Sequence, residues 1–150
     1  MMPDSPLRLL FPRRFRDLPH RRLILNLLRA AHIISFSLLL GGLYYGVADE
    51  AWRPWLLAAV LSGLALFAVD LYGSFLALFE IRGISVLIKI GLLSLLPLVD
   101  ADTRLASLMS IIVFSSLVSH STRRFRHRSL APAAFLRKYA PTDPPTPPEK

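Results

Sequence analysis

The stretch Leu23 to Tyr45, LILNLLRAAHIISFSLLLGGLYY, decides the architecture of this chain. At 1.5 Å per residue it is long enough to cross the ~30 Å hydrocarbon layer of a bilayer. A basic segment precedes it, as in a signal peptide. However, the apolar run is longer than a signal-peptide core, and no clear small-residue cleavage site follows it. The stretch therefore predicts a retained transmembrane helix at about 23–45.

Three further apolar stretches predict spans of the same kind, at about 54–79, 84–99 and 105–120. Hydrophobic residues make up 53% of the chain, and its mean hydropathy of +0.48 exceeds that of ordinary soluble domains. The excess is gathered in blocks, which is typical of membrane helices. The chain is therefore predicted to be an all-α polytopic membrane protein, with a four-helix transmembrane bundle over 23–120.

The segments that flank this bundle are basic. We expect a basic interfacial segment at 1–22, a basic juxtamembrane segment at 121–139 and a proline-rich flexible tail at 140–150. The loops between spans carry acids instead, so the positive-inside rule places both termini in the cytoplasm of a bacterial inner membrane. The net charge of +8 then reflects topology and not nucleic-acid binding. The arginines expected at lipid headgroups are Arg13, Arg14, Arg16, Arg21, Arg22, Arg123, Arg124, Arg126 and Arg128.

Four polar residues fall inside the predicted spans and form a candidate intramembrane cluster: Arg29, His32, Asp70 and Lys89. A second helix that runs to Phe79 places Asp70 roughly 14 Å from its end, near the middle of the membrane. A charged carboxylate at that depth needs a partner. The cluster has two open interpretations, a structural one that fixes helix register and a functional one that handles protons or ions.

Small residues indicate where these helices pack closely. In the first span they are Ala31, Ser35, Gly42 and Gly46, and the last two form a GxxxG pattern. Gly63 and Ser74 share a stripe with Asp70 in the second span. We expect these six residues at helix contacts, within this chain or with other membrane subunits.

Haem is an alternative that the histidines raise. His32 and His120 lie in or beside spans, but at different depths, so one porphyrin ligated by both needs a considerable tilt. Without HExxH spacing or cysteines, the sequence offers no strong metal motif, and GxSxG, P-loop and GxGxxG patterns are missing from it as well. No cofactor and no catalytic residue is expected, with haem kept as the alternative.

Three short patterns carry a family resemblance. They are Ala31-His32 followed by Gly41-Gly42, Ser62-Gly63-Leu64, and Leu87-Ile88-Lys89-Ile90. This arrangement resembles the membrane domains of copper-resistance-D-type proteins and related small bacterial proteins of unknown function. The resemblance implies a four-helix inner-membrane module with a histidine in its first helix, in a group sometimes linked to copper or haem.

The function expected from these features is that of a non-catalytic accessory or structural subunit of a larger membrane complex. Its partners would be membrane lipids and other membrane subunits or further copies of the chain, since small-residue faces and basic tails suit both. The alternative is a proton-handling, ion-handling or haem-binding membrane protein that uses His32, Asp70 and Lys89.

Overall fold

The computed structural model describes residues 10–12, 16, 18–122, 129–132 and 135. Four long helices make up most of this part of the chain. They are α1 (Arg21–Tyr44), α2 (Asp49–Gly73), α3 (Ile81–Ser94) and α4 (Ala101–His120). Short 3₁₀ helices follow α2 and α3, at Phe75–Phe79 and Leu96–Leu98.

Each of these helices is long and apolar enough to cross a membrane, with α3 counted together with the turn that carries it to Leu98. Large apolar side chains point outward along them, for example Leu27, Ile33 and Leu117, each more than half exposed. In water this surface would be unfavourable, whereas lipid tails solvate it. The prediction of an all-α chain with four helices able to span a membrane is confirmed for the described residues.

The helices pack as a ring in chain order. α1 makes its most extensive contact with α2, α2 packs on α3, α3 packs on α4, and α4 closes the ring on α1. We call the end that holds Arg21 and His120 the basic end, and the opposite end, with Tyr44 and Asp49, the acidic end. The main apolar core lies towards the acidic end and comprises Leu39, Trp52, Leu56, Ala59, Leu93, Leu96 and Leu108.

The second helix differs most from its predicted bounds of 54–79. It begins at Asp49, where the acids Asp49 and Glu50 stabilise the positive end of the helix dipole, and it includes Pro54. It ends at Gly73, because Ser74 has an extended backbone and its hydroxyl accepts a hydrogen bond from the Leu76 N–H. The apolar residues that follow form a 3₁₀ helix instead of another α-helical turn.

The other helices begin a few residues before their predicted starts. α1 begins at Arg21 and α4 at Ala101, while α3 spans Ile81–Ser94 in place of 84–99. α3 stops early because Pro97 cannot supply a backbone donor, and the chain tightens into the 3₁₀ turn around it. The connection between α1 and α2 is therefore shorter than predicted, whereas those that follow α2 and α3 are longer.

Residues from both flanking segments meet at the basic end. The rings of Phe11, Phe79 and Phe135 have centroids 5.1 to 6.5 Å apart, which we call the aromatic cluster. The Leu130 N–H donates to the Phe79 carbonyl at 2.8 Å. Most of the predicted segments 1–22 and 121–139, and all of the proline-rich tail at 140–150, lie outside the described residues.

Candidate functional site

A cavity of about 600 Å³ lies between the four helices and is lined by residues from all of them. Its polar lining includes Arg29, His32, Asp70 and Lys89, together with serines of α1 and α4. The volume falls in the range of small-molecule sites, roughly 300–1,000 Å³. The four residues singled out from the sequence therefore border one space.

His32 has a defined position on the cavity wall. Its Nδ1 lies 2.8 Å from Ser62 Oγ, while that hydroxyl lies 2.7 Å from the Ala58 carbonyl oxygen. The Ser62 hydroxyl can donate to this carbonyl or to Nδ1, so the direction of the His32–Ser62 hydrogen bond follows the tautomer of the imidazole. The sequence alone gave no sign of the Ser62 partnership.

Gly63 makes room for the imidazole. A Cβ placed at Gly63 would lie 3.3 Å from His32 Cε1, which is tighter than ordinary van der Waals contact. The ring also packs edge-on against Phe36, with centroids 5.0 Å apart. Gly63 thus acts at the contact between α1 and α2, where it sets the position of His32.

Lys89 and Arg29 supply positive charge to the same cavity. Lys89 Nζ lies 3.4 Å from Ser115 Oγ, a neutral partner on α4. Arg29 is exposed, and no acid forms an ion pair with it within the described part of the chain. Neither cation is neutralised by an acid of the bundle there.

Asp70 lies nearer the membrane boundary than the sequence indicated. Because α2 ends at Gly73, Asp70 is in its last turn at the basic end, not near the middle of the span. Its two oxygens pair with different arginines, Oδ1 with Arg21 at 3.2 Å and Oδ2 with Arg82 at 3.4 Å. Asp70 therefore joins the starts of α1 and α3 to the end of α2.

The four-residue cluster is accordingly divided. His32 is bonded to Ser62, Lys89 to Ser115, and Asp70 to two arginines that the sequence analysis did not include. Arg21 and Arg82 are distant from Asp70 in the chain, and only the ring of helices brings them together. The structural and the functional interpretations of the cluster both remain predictions.

A second polar group, at the acidic end, was missed by the sequence analysis. Arg104 Nη1 lies 2.9 Å from Asp49 Oδ1, and its guanidinium lies 5.0 Å from the centre of the Trp52 ring. The Trp52 indole N–H also donates to Asp49, at 3.1 Å. Arg104 further donates to the carbonyls of Pro97 and Val99. The spacing of Asp49 and Trp52, one helical turn apart, was the available signal.

The remaining small residues have separate roles. Gly42 lies against Trp52, with 3.0 Å between an added Cβ and the Trp52 Cβ. Gly46 is in the turn after α1 with φ of +63°, a conformation that glycine adopts without strain. Ser35 is buried and donates to the Ala31 carbonyl, while Ser74 starts the 3₁₀ helix. Ala31 itself is exposed.

His120 is the last residue of α4, at the basic end, and it is exposed. His32 lies eleven residues into α1, about 16 Å from the start of that helix. This difference in depth does not suit two axial ligands of one haem iron. No group of three or more potential metal-ligating His, Cys, Asp or Glu side chains occurs among the residues with described positions.

The arginines expected at headgroups are only partly described. Arg21 and Arg22 are exposed at the basic end, and Arg16 lies 5.9 Å from the centre of the Tyr72 ring. The others lie outside the described residues: Arg13, Arg14, Arg123, Arg124, Arg126 and Arg128. The predicted headgroup contacts stay predictions.

Comparison of the chain with protein-family models, with curated proteins and with solved structures finds no match.

Proposed function

We propose that this chain is a non-catalytic accessory or structural subunit of a larger complex in the bacterial inner membrane. The observation that carries the proposal is the outer face of α4, which we define as Ser110, Val113 and Leu117. These residues lie three and four positions apart, so they share one side of the helix, and all are exposed. Leu108 and Ile111 are the only buried residues of α4.

The proposed occupant of this face is a transmembrane helix of another subunit. Hydroxyl-bearing helix faces associate with protein in membranes, where small side chains permit close approach. The exposed surface of α4 carries further serines at Ser116 and Ser119. By contrast, the exposed leucines of α2, at Leu57, Leu61 and Leu64, present a purely aliphatic surface that lipid covers well.

The polar contacts of the bundle favour a structural role. Asp70 is occupied by Arg21 and Arg82, and Asp49 by Arg104 and Trp52. Each group joins separate helices at one end of the ring. Charges used in this way hold the bundle together and are not poised for a reaction.

The proposed orientation has both termini in the cytoplasm. Arg21, Arg22 and Arg82 lie at the basic end, whereas the first turns of α2 and α4 at the opposite end carry Asp49 and Asp102. An excess of Arg and Lys beside the spans marks the cytoplasmic side of bacterial membrane proteins.

Site-specific photocrosslinking in the native membrane tests the proposal. A photoreactive amino acid is placed at Ser110, Val113 or Leu117, and the matched control positions on α2 are Leu57, Leu61 and Leu64. We expect all three α4 positions to give an adduct with the same membrane protein, and the α2 positions to give none. That protein should also co-purify in a fixed ratio after extraction in mild detergent.

Two results would contradict the accessory role. One is crosslinking of α4 to lipid alone, and the other is equal protein adducts from α2 and α4. An adduct between copies of this chain would show that it forms a homo-oligomer and not a larger complex with another protein.

A second candidate function, haem binding or proton and ion handling, is favoured by the position of the His32 imidazole on the cavity wall. An absorption spectrum of the purified chain tests the haem arm. A Soret band that disappears in His32→Ala and persists in His120→Ala would support it. A spectrum without a Soret band, taken on protein purified from its native membrane, would exclude haem binding.

A further inference from the structure

The charged side chains that line the cavity all lie in its half towards the basic end, which we call the polar half. Arg29, Lys89, Ser115 and Ser116 border this half, as does the paired carboxylate of Asp70, together with apolar residues such as Leu25 and Phe67. The half towards the acidic end is lined mainly by aliphatic and aromatic side chains: Phe36, Leu40, Ala59, Val60 and Leu93. A ligand that fills the cavity must therefore have a polar part for the first half and an apolar part for the second.

The polar half carries an excess of positive charge. Both oxygens of Asp70 are occupied by Arg21 and Arg82, which lie at the rim, and Arg82 also pairs with Glu80, so the two arginines and the two acids balance. Lys89 has the neutral Ser115 as its hydrogen-bond partner, and Arg29 has no ion pair with any described acid. Cations within a membrane span are unfavourable unless an anion accompanies them.

The cavity opens sideways, between α1 and α4. Its exposed lining residues are Arg29, Ile33 and Ser37 on α1 and Ser116 on α4. These two helices also make the least extensive contact in the ring. An opening at this position faces the bilayer, so a molecule dissolved in the membrane reaches the cavity without crossing water.

We propose that this cavity binds an anionic amphiphile, with its phosphate or carboxylate headgroup at Arg29 and Lys89. The hydroxyls of Ser115 and Ser116 donate further hydrogen bonds to the headgroup. An acyl chain extends along the apolar half past Phe36 and Leu93. The headgroup belongs to a membrane phospholipid or to a free fatty acid, which share this chemistry. The site goes beyond the accessory role and does not depend on a partner subunit.

Native mass spectrometry of the full chain, purified in neutral detergent, tests the proposal. The probes are phosphatidylglycerol, oleate, phosphatidylcholine and inorganic phosphate, each added separately. We expect one tightly retained phosphatidylglycerol or oleate, and weaker retention of phosphatidylcholine. Either retained probe supports the site, and the stronger one identifies the headgroup.

Matched variants locate the site. Arg29→Gln and Lys89→Gln should each weaken retention about fivefold, the contribution of one basic side chain to anionic-lipid binding. Arg53→Gln removes the same charge from α2 outside the cavity and should leave retention unchanged. Lys89→Arg, which keeps the charge, should restore most of it. Ser116→Trp leaves both cations in place, yet it should reduce retention by narrowing the opening.

Three results would overturn the proposal. Equal retention of phosphatidylglycerol and phosphatidylcholine would show that the site does not select an anionic headgroup, and an equal loss in Arg53→Gln and Arg29→Gln would show that the lipid binds outside the cavity. Displacement of the lipid by millimolar inorganic phosphate would leave a simple anion site without a chain. Monodisperse gel filtration of each variant shows that lost retention is not lost folding.

Discussion

Gly83 fixes how α3 is joined to the preceding 3₁₀ helix. It is buried in the first turn of α3, and a Cβ at this position would overlap the Ala77 carbonyl group and lie 3.3 Å from Leu78 Cα. Those neighbours are backbone atoms, which cannot rotate away as a flexible side chain does. The tight connection between α2 and α3 therefore requires the absence of a side chain here.

We predict that Gly83→Ala lowers the free energy of unfolding by about 1–3 kcal/mol, the usual cost of overpacking a filled site. Gly91→Ala is the matched control on the same helix, because a Cβ there meets nothing within 4 Å. Alanine favours helix, so the control should unfold at the same or a slightly higher denaturant concentration. Unfolding by detergent titration measures both. An equal loss in the two variants would contradict the close contact at Gly83.

His32 illustrates a residue whose importance, but not whose partner, is evident from the sequence. A histidine in an apolar stretch is conspicuous, as are Arg29 and Lys89. The partner Ser62 is one of many serines in the chain, and it lies 30 positions from His32. Choosing it requires knowing which faces of α1 and α2 meet, and the even spread of apolar residues around membrane helices conceals those faces.

At the scale of helices, Arg104 joins three parts of the acidic end. Its side chain is only 12% exposed and bonds to Asp49 on α2 and to carbonyls in the turn before α4. Arg53 pairs with the same carboxylate, at 3.4 Å, but its side chain is 58% exposed. Asp49 thus has two arginine partners, a largely buried one in Arg104 and an exposed one in Arg53.

We predict that Arg104→Met lowers the free energy of unfolding by about 1–2 kcal/mol, since it removes a donor from the Pro97 and Val99 carbonyls and one of the donors to Asp49. Water still reaches Asp49, which is 40% exposed, and this limits the loss. Arg53→Met should change stability by less than about 0.5 kcal/mol, as exposed ion pairs usually do. A double-mutant cycle with Asp49→Asn checks the coupling. Equal losses of stability in Arg104→Met and Arg53→Met would show that the contacts of Arg104 with Asp49 and Trp52 do not hold the helices together.

The sequence predicts the number and type of helices because four apolar blocks leave little alternative. It misplaces the end of α2, since Phe75–Phe79 is apolar enough to continue a span and the turn depends on the extended backbone of Ser74 and on hydrogen bonds to its hydroxyl and carbonyl. This error moved Asp70 to the membrane centre in the sequence analysis. Once α2 ends at Gly73, Asp70 lies beside Arg21 and Arg82. The position of the end of α2, more than the number or type of helices, therefore determines which residues lie beside Asp70.

At the scale of the whole molecule, orientation can be tested with single cysteines because the chain contains none. We predict that Ala48→Cys and Asp102→Cys, in the two acidic-end connections, react with a membrane-impermeant maleimide in intact spheroplasts. Leu130→Cys, at the basic end and 63% exposed, should react only after permeabilisation. The reverse labelling pattern would show that the protein has the opposite orientation in the membrane. Labelling of all three from outside would contradict four spans.

The aromatic cluster has a consequence for how the protein is made. Its three rings come from points far apart in the chain: Phe11 precedes α1, Phe79 follows α2 and Phe135 follows α4. A ribosome releases them in that order, so Phe11 and Phe79 wait for the third ring until the last helix has entered the bilayer. The cluster therefore closes only after all four helices have been synthesised.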